Sequence, residues 1–413
     1  MSTPRRLLLL GLPLGLCAAA AAARADGSAT TLFDSRPYTR DGGYQESPVY
    51  ESFSLFARSE GTGWLQDVRV VARGWGRLTL GPPFDEHRTA GDVDSLFFEG
   101  RLLQRHLLLR VGRQLVIGGA VRATQMDGVT ARGIISNGFG AEVFGGVPVA
   151  PRFAAARGDL LAGGRVFWSH AFDSEVGASF VYALRGGYLA RKDVALDGSW
   201  TPLRAVTVSG LAQWSLEEMR LAEAKLSALW QVTPKLQLTG DVQRTAPDLF
   251  LDRNSIFAVF AEEERNEAGG EAVWRIISPL SLSADWHWLR VEGGHGHRGG
   301  ARATFHTPKG GSFGAELRLL TEPDNGYKQA RLFATRRLPH DLVVTVDLDA
   351  YWLEQQVNAQ KHSLVATVSC GFPLGANWDA MVAGSLGQTP YFERRTELIA
   401  RLTWRFGLPG GLR

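Results

Sequence analysis

Strict alternation of apolar and polar residues, renewed after every tight turn, constrains this chain more than any other feature. In 397–406, Leu398, Ala400, Leu402, Trp404 and Phe406 fall on one face. Glu397, Ile399, Arg401, Thr403 and Arg405 fall on the other. Leu342, Val344, Val346, Leu348, Ala350 and Trp352 alternate in the same way with Thr345, Asp347, Asp349 and Tyr351. Period two belongs to strands whose two faces meet different surroundings. Similar patterns run through 160–172, 175–185, 204–214, 221–232, 235–243, 280–290 and 309–320.

The turns between these stretches are regularly spaced. They fall near Arg105, Asn137, Asp173, Leu203, Pro234, Pro279, Pro308, His340 and Leu374. A typical interval of roughly 31 residues holds two strands and a connection, which is a β-hairpin. A propeller blade needs about 40–45 residues, and helical repeats of similar length have the wrong hydrophobic period. A sheet built from so many hairpins must close or it exposes adhesive edges. The expected fold is all-β, an antiparallel up-and-down barrel. Counting strands from the turns gives 20 or 22, since closure with both ends on one side needs an even number.

Tryptophan placement says what surrounds the barrel. Trp168, Trp200, Trp230, Trp274, Trp378 and Trp404 all lie near tight turns on the apolar face. Trp214, Trp286, Trp288 and Trp352 share that face farther from the turns. Two aromatic rings separated by one membrane-spanning stretch are the girdles of a transmembrane barrel. Core tryptophans of a soluble barrel have no reason to gather at two heights. Glycine, 48 of 413 residues, fits turns and crowded strand faces better than helices.

The N-terminus reads as a secretory signal. Arg5 and Arg6 precede an apolar run from Leu7 to Ala23, and Ala23-Arg24-Ala25 supplies a small-x-small cleavage site. The cut is placed after Ala25. A membrane anchor fits less well, because Ala dominates the second half of the run and no stop-transfer charges follow. Cleavage removes Arg5, Arg6 and Arg24 and so cancels the formal charge of +3. A nucleic-acid partner therefore has no electrostatic support. Cys17 leaves with the signal, and Cys370 alone makes neither a disulfide nor a cysteine-based zinc site.

Signal, alternating strands, short turns and a last strand ending Leu402-Thr403-Trp404-Arg405-Phe406 resemble a bacterial outer-membrane β-barrel of the porin type. Gly112-Arg113-Gln114 and Asp127-Gly128-Val129 are similar to stretches of larger porin-like proteins. The resemblance implies a bacterial outer-membrane location, surrounding membrane lipid, and the barrel-assembly machinery as a partner during biogenesis. It divides the chain into a signal peptide (1–25), a short periplasmic segment (26–47), the barrel (48–406) and a tail (407–413). The tail departs from the family habit of ending on the terminal aromatic. Residues 26–47 are too short for a plug domain of the kind that fills large transporters.

Parity assigns the charges inside. The first half contributes Arg69, Arg73, Arg77, Arg101, Arg110, Arg132, Arg165 and Arg185 against Glu99 and Glu142. The second half contributes Asp197, Glu223, Asp241, Glu271, Asp285, Glu316, Asp347, Asp349, Asp379 and Glu397. It also carries Arg275, Arg302, Arg318, Arg331, Arg401 and Arg405. One wall should be cationic and the other mixed, a field that sorts solutes by sign. The expected function is passive diffusion of small hydrophilic solutes, with anions favoured. No cofactor is implied. Neither the solute nor the oligomeric state follows from the pattern.

Other features carry less. Gly294-His295-Gly296-His297-Arg298-Gly299 satisfies a G-x-G-x-x-G spacing but opens no helix. His287, His295, His297 and His306 share one hairpin and have the chemistry for Zn or Cu, though a glycine-rich loop tip is the simpler reading. The long connection 245–268, with Phe250, Ile256, Phe257 and Phe260, is expected to fold inward as a constriction. Two other functions remain in view: a structural or surface-binding barrel with a closed lumen, and a membrane-embedded hydrolase. The second is disfavoured by barrel size and by His170 and His362 being the only histidines near strand faces outside that hairpin.

Overall fold

The computed structural model describes residues 24–39, 44–80, 87–149, 158–170, 174–250, 264–291, 293–323, 325–390 and 392–407. They form one closed antiparallel sheet of 22 strands. The first eleven are β1 (Arg24–Thr39), β2 (Tyr44–Thr62), β3 (Leu65–Leu80), β4 (Thr89–Leu102), β5 (Leu107–Gly118), β6 (Val121–Ser136), β7 (Phe139–Pro148), β8 (Leu160–His170), β9 (Ser174–Arg185), β10 (Tyr188–Leu203) and β11 (Val206–Ser215). The rest are β12 (Arg220–Thr233), β13 (Leu236–Thr245), β14 (Arg265–Ile277), β15 (Leu280–Val291), β16 (Gly294–His306), β17 (Ser312–Thr321), β18 (Tyr327–Arg337), β19 (Val343–Val357), β20 (Gln360–Pro373), β21 (Trp378–Thr389) and β22 (Phe392–Gly407). Each strand pairs with its sequence neighbours, and β1 pairs with β22 to shut the ring. No helix among the described residues is long and apolar enough to cross a membrane.

Every turn anticipated from sequence lies on one rim, the rim that also receives the start of β1 and the end of β22. The N-terminal boundary differs from expectation. Residues 26–47, expected as a periplasmic segment, instead supply most of β1 and the start of β2. Among the described residues the first barrel strand starts at Arg24, ahead of residue 48, and the cleavage expected after Ala25 falls inside it. β1 hid because its faces barely differ: Ser28, Thr30 and Leu32 alternate with Ala29, Thr31 and Phe33. Its pairing supplies what its pattern lacks. Asp26 to Thr39 run beside Gly407 to Arg394, and a Cβ on Gly27 would overlap the ring of Phe406. Residues 1–23, 408–413 and 251–263 lie outside the described residues, and with them most of the signal, most of the tail, and the loop expected to constrict the barrel.

Large apolar side chains are exposed at alternate positions around the outside, as Leu317, Leu332, Val346, Leu364 and Leu386 show. Such a surface is unstable in water and stable in hydrocarbon. Directly paired residues share a face, so the register carries this parity from strand to strand: Leu332 faces Leu348, and Leu348 faces Ala366. Cys370 stands between Val344 and Val382 on the same outer face, and it is a free thiol.

Candidate functional site: a paired inner wall and an inward hairpin

The opposite parity faces the interior, which a contact across the barrel makes plain. Arg122 on β6 donates to Glu223 on β12 at 2.5 Å, six strands away. Only the concave side permits that reach.

The inner arginines are mostly paired. Arg69 and Arg110 flank Glu99 in directly opposed positions, with contacts of 3.3 and 2.6 Å. Arg132 reaches Glu142 at 3.4 Å and Glu175 at 3.0 Å. Arg165 reaches Glu175 and Asp197, each at 2.5 Å. Arg101 lies 3.7 Å from Asp67, a carboxylate that Arg58 and Arg105 also approach. Arg77 donates to the His87 carbonyl at 3.2 Å, and Arg185 is likewise engaged. Arg73 is exposed and has no side-chain partner among the described residues. Two acids missing from the parity count, Asp67 and Glu175, do much of this pairing. Glu175 stands at the second residue of β9, beside a turn, where alternation is only beginning to mark a face.

The second half is paired more locally. Asp347 takes Arg331 at 2.5 Å, and Asp349 accepts both Gln329 contacts at 2.9 and 3.0 Å. Asp379 pairs with Arg405, and Glu397 with Arg395 at 2.9 Å. Several guanidinium groups also lie over phenyl rings: Arg110 over Phe97, Arg132 and Arg165 over Phe167, Arg302 and Arg331 over Phe333. A planar cation on an aromatic face is held flat against the wall. The interior thus carries rows of opposed charges at fixed positions, with a smaller surplus of positive charge than a count of arginines suggests.

A hairpin narrows this space. β5 keeps its β4 partner only as far as Arg113, opposite Leu96, and β6 keeps its β7 partner only as far as Met126, opposite Pro148. The segment between them leaves the wall. At the departure line Gly112, Gly128 and Gly146 oppose one another across three strands. Gly112 has φ +124°, and a Cβ there would strike the Leu96 carbonyl. Glycine is what lets the sheet crease.

Beyond the crease the tip folds onto the inner face of β7–β10. Val116, Ala120, Val121 and Met126 meet Phe144, Leu161, Val181 and Ala195 in a core whose members are 0–9% exposed. Polar contacts pin it. Ser179 Oγ accepts from the Ala120 N–H at 2.7 Å, and Arg191 donates to the Ala120 carbonyl at 2.6 Å. Arg122 reaches Glu223, which also holds Lys225. Gln114, fully buried, donates to the Gly128 carbonyl at 3.1 Å and accepts from Thr130 at 2.9 Å. The tip's other face carries Leu115 and Ile117, both exposed, and the Arg113–Asp127 pair. The two glycine-bearing stretches singled out in the sequence are therefore the two sides of one crease, with Gly112 opposite Gly128 and Arg113 opposite Asp127.

The tryptophans near the tight turns stand within three residues of their strand ends on the rim that holds those turns, all exposed and all on the outer parity. Trp378 and Trp404 oppose each other and stack at 5.8 Å. Trp214, Trp286, Trp288 and Trp352 are also exposed outward, toward the other rim. The four histidines do not converge. His287 is buried inside, 3.1 Å from Asp241, whereas His295 and His297 stack outside on Trp288 and Trp286. The glycine-histidine run is itself the start of β16, not a loop. No group of three metal-ligating side chains occurs among the described residues.

No protein-family model matches the chain, and no curated protein matches its sequence. Among solved structures, the P pilus usher PapC translocation pore is similar with a TM-score of 0.50 and 10% identity, over 93% of this chain and 99% of that one. OpdK of Pseudomonas aeruginosa is similar at 0.49 and 10%, over 94% and 99%. OccK7 of the same organism is similar at 0.49 and 12%, over 94% and 100%. The fold is that of outer-membrane β-barrel channels, and at such identities the likeness goes no further than the fold.

Proposed function

We propose that the protein is a passive channel of the bacterial outer membrane that passes small hydrophilic solutes around the β5–β6 hairpin. The observation carrying this reading is a polar, ion-paired inner face inside a closed 22-strand barrel, narrowed by a docked hairpin. In this reading the residues lining the path are Arg69, Arg73, Arg77, Arg101, Arg110, Arg132, Arg165, Arg185, Asp347, Asp349, Asp379 and Glu397. Trp168, Trp200, Trp230, Trp274, Trp378 and Trp404 sit at the lower lipid interface. Opposed charges along a wet wall favour polar solutes and penalise apolar ones. Anion preference is weak, because many of the lining arginines, among them Arg69, Arg110, Arg132 and Arg165, already hold a carboxylate. The Debye length of about 8 Å at physiological salt weakens it further. No catalytic group is required. Purified protein in planar bilayers should give discrete conductance steps and a small anion-directed reversal potential in a KCl gradient. A folded barrel that conducts nothing would favour a closed, structural barrel instead.

A further inference from the structure

We propose that the outer wall of β7–β11 carries a built site for one anionic phospholipid of the inner leaflet. A cylinder of strands should be convex outside, yet here it is hollowed. A trough of ≈ 860 Å³ runs along this stretch, lined almost wholly by apolar atoms. Small residues that the register places side by side make its floor, with Gly198 opposite Gly210, and Ala178 and Ala212 flank the projecting side chain of Leu196. Trp168 and Trp200 close its lower end.

The occupant follows from shape and charge. Two convex barrels cannot fill a hollow with a recessed floor, whereas acyl chains are flexible and adapt to one. The trough ends at the level of Trp168 and Trp200, the height at which headgroups meet aromatic rings. Just beyond Trp200, the β10–β11 turn presents Arg204, exposed and without an ion pair among the described residues. His170 stacks on Trp168 at 5.2 Å on the other side. An apolar hollow with a cationic lower lip matches a lipid with two chains and a phosphate-bearing, net-negative headgroup. A zwitterionic lipid fills the hollow equally well and gains less at the lip.

The test is native mass spectrometry of the full barrel in non-ionic detergent, with dioleoyl phosphatidylglycerol and dioleoyl phosphatidylcholine as competing probes. The parent should retain one phosphatidylglycerol per barrel under activation that strips phosphatidylcholine. Ala178→Phe with Ala212→Phe fills the hollow from Cβ atoms that already point outward, and should abolish the retained lipid while single-channel conductance stays at the parental value. Arg204→Gln, on an exposed turn, should cut the preference for phosphatidylglycerol about fivefold and leave phosphatidylcholine unchanged, as one basic group near an anionic surface predicts. Equal retention of both lipids by the parent would overturn the proposal. So would unchanged retention in either folded variant, or a dimer that buries the trough in place of lipid.

Discussion

Truncating Met126 to Ala should loosen the hairpin from the inner wall while leaving the barrel intact. Met126 is fully buried at the centre of the eight-residue core that docks the tip. Replacing a buried methionine by alanine typically costs about 2–5 kcal/mol, depending on how far the site collapses. Water in the lumen and a small core argue for the lower end, so about 2 kcal/mol is appropriate. Each 1.36 kcal/mol is a factor of ten, which shifts the docked-to-undocked ratio by about 30-fold. Barrel closure rests on 22 paired strands and is insensitive to that amount. The assay is single-channel recording, with the fraction of time spent in a larger-conductance state as the readout. That fraction should rise by at least about tenfold, and folding should be verified by heat-dependent electrophoretic mobility. Val242→Ala, which shortens an exposed outer-face side chain, should change neither. A folded Met126→Ala protein with parental conductance and parental noise would show that the tip does not gate the path.

Other consequences are testable with the same preparations. Glu99→Gln releases Arg69 and Arg110 from their shared carboxylate, so the reversal potential in a KCl gradient should move toward anions; Arg73→Gln should move it the opposite way, and by less. An Arg110→Gln change leaves Glu99 with only Arg69, and the shift should be toward cations. Gly27→Leu puts a side chain where Phe406 lies, and should abolish the compact, heat-modifiable form on gels; a fully compact variant would contradict the seam. Cys370 should react slowly with water-soluble maleimides in intact membranes, and labelling as fast as that of a loop cysteine would mean a one-residue slip in register.

What could be read in the sequence was whatever a single strand's alternation or a turn's chemistry expresses locally. The turns at Asn137, Pro234, Pro279 and His340, and the outward parity of Trp274 and Trp404, are local and legible. β1 was not, since Thr31 and Ser28 on opposite faces say nothing about which side meets lipid. The ion pairs were not legible either. Parity puts Arg165 inside, but only three-dimensional register brings Glu175 and Asp197 to it. The inward hairpin did leave one signal that parity alone cannot interpret. Between Gln114 and Met126 apolar residues occur on both faces, with Leu115 and Ile117 on one and Val116 and Met126 on the other. A strand that touches lipid on one side and water on the other has no use for that; a strand that folds onto a wall does.

The β1–β22 pairing has a further bearing on how such a molecule assembles. Every other strand pairing among the described residues joins sequence neighbours. Here Thr30 and Thr403, in hydrogen-bond contact, are 373 positions apart. Loop-closure entropy rises by about 0.6 kcal/mol per doubling of length, so this last pairing costs about 2 kcal/mol more than a hairpin of some 25 residues. The sheet is therefore expected to grow as hairpins and to stay an open ribbon until two bare edges meet. During that interval β1 and β22 are competent to pair with edges of other unfinished chains. The fit of the Phe406 ring over Gly27 favours this seam over the edges of unlike chains, while a second unfinished copy carries the same two edges, so closure within one chain competes with exchange between copies.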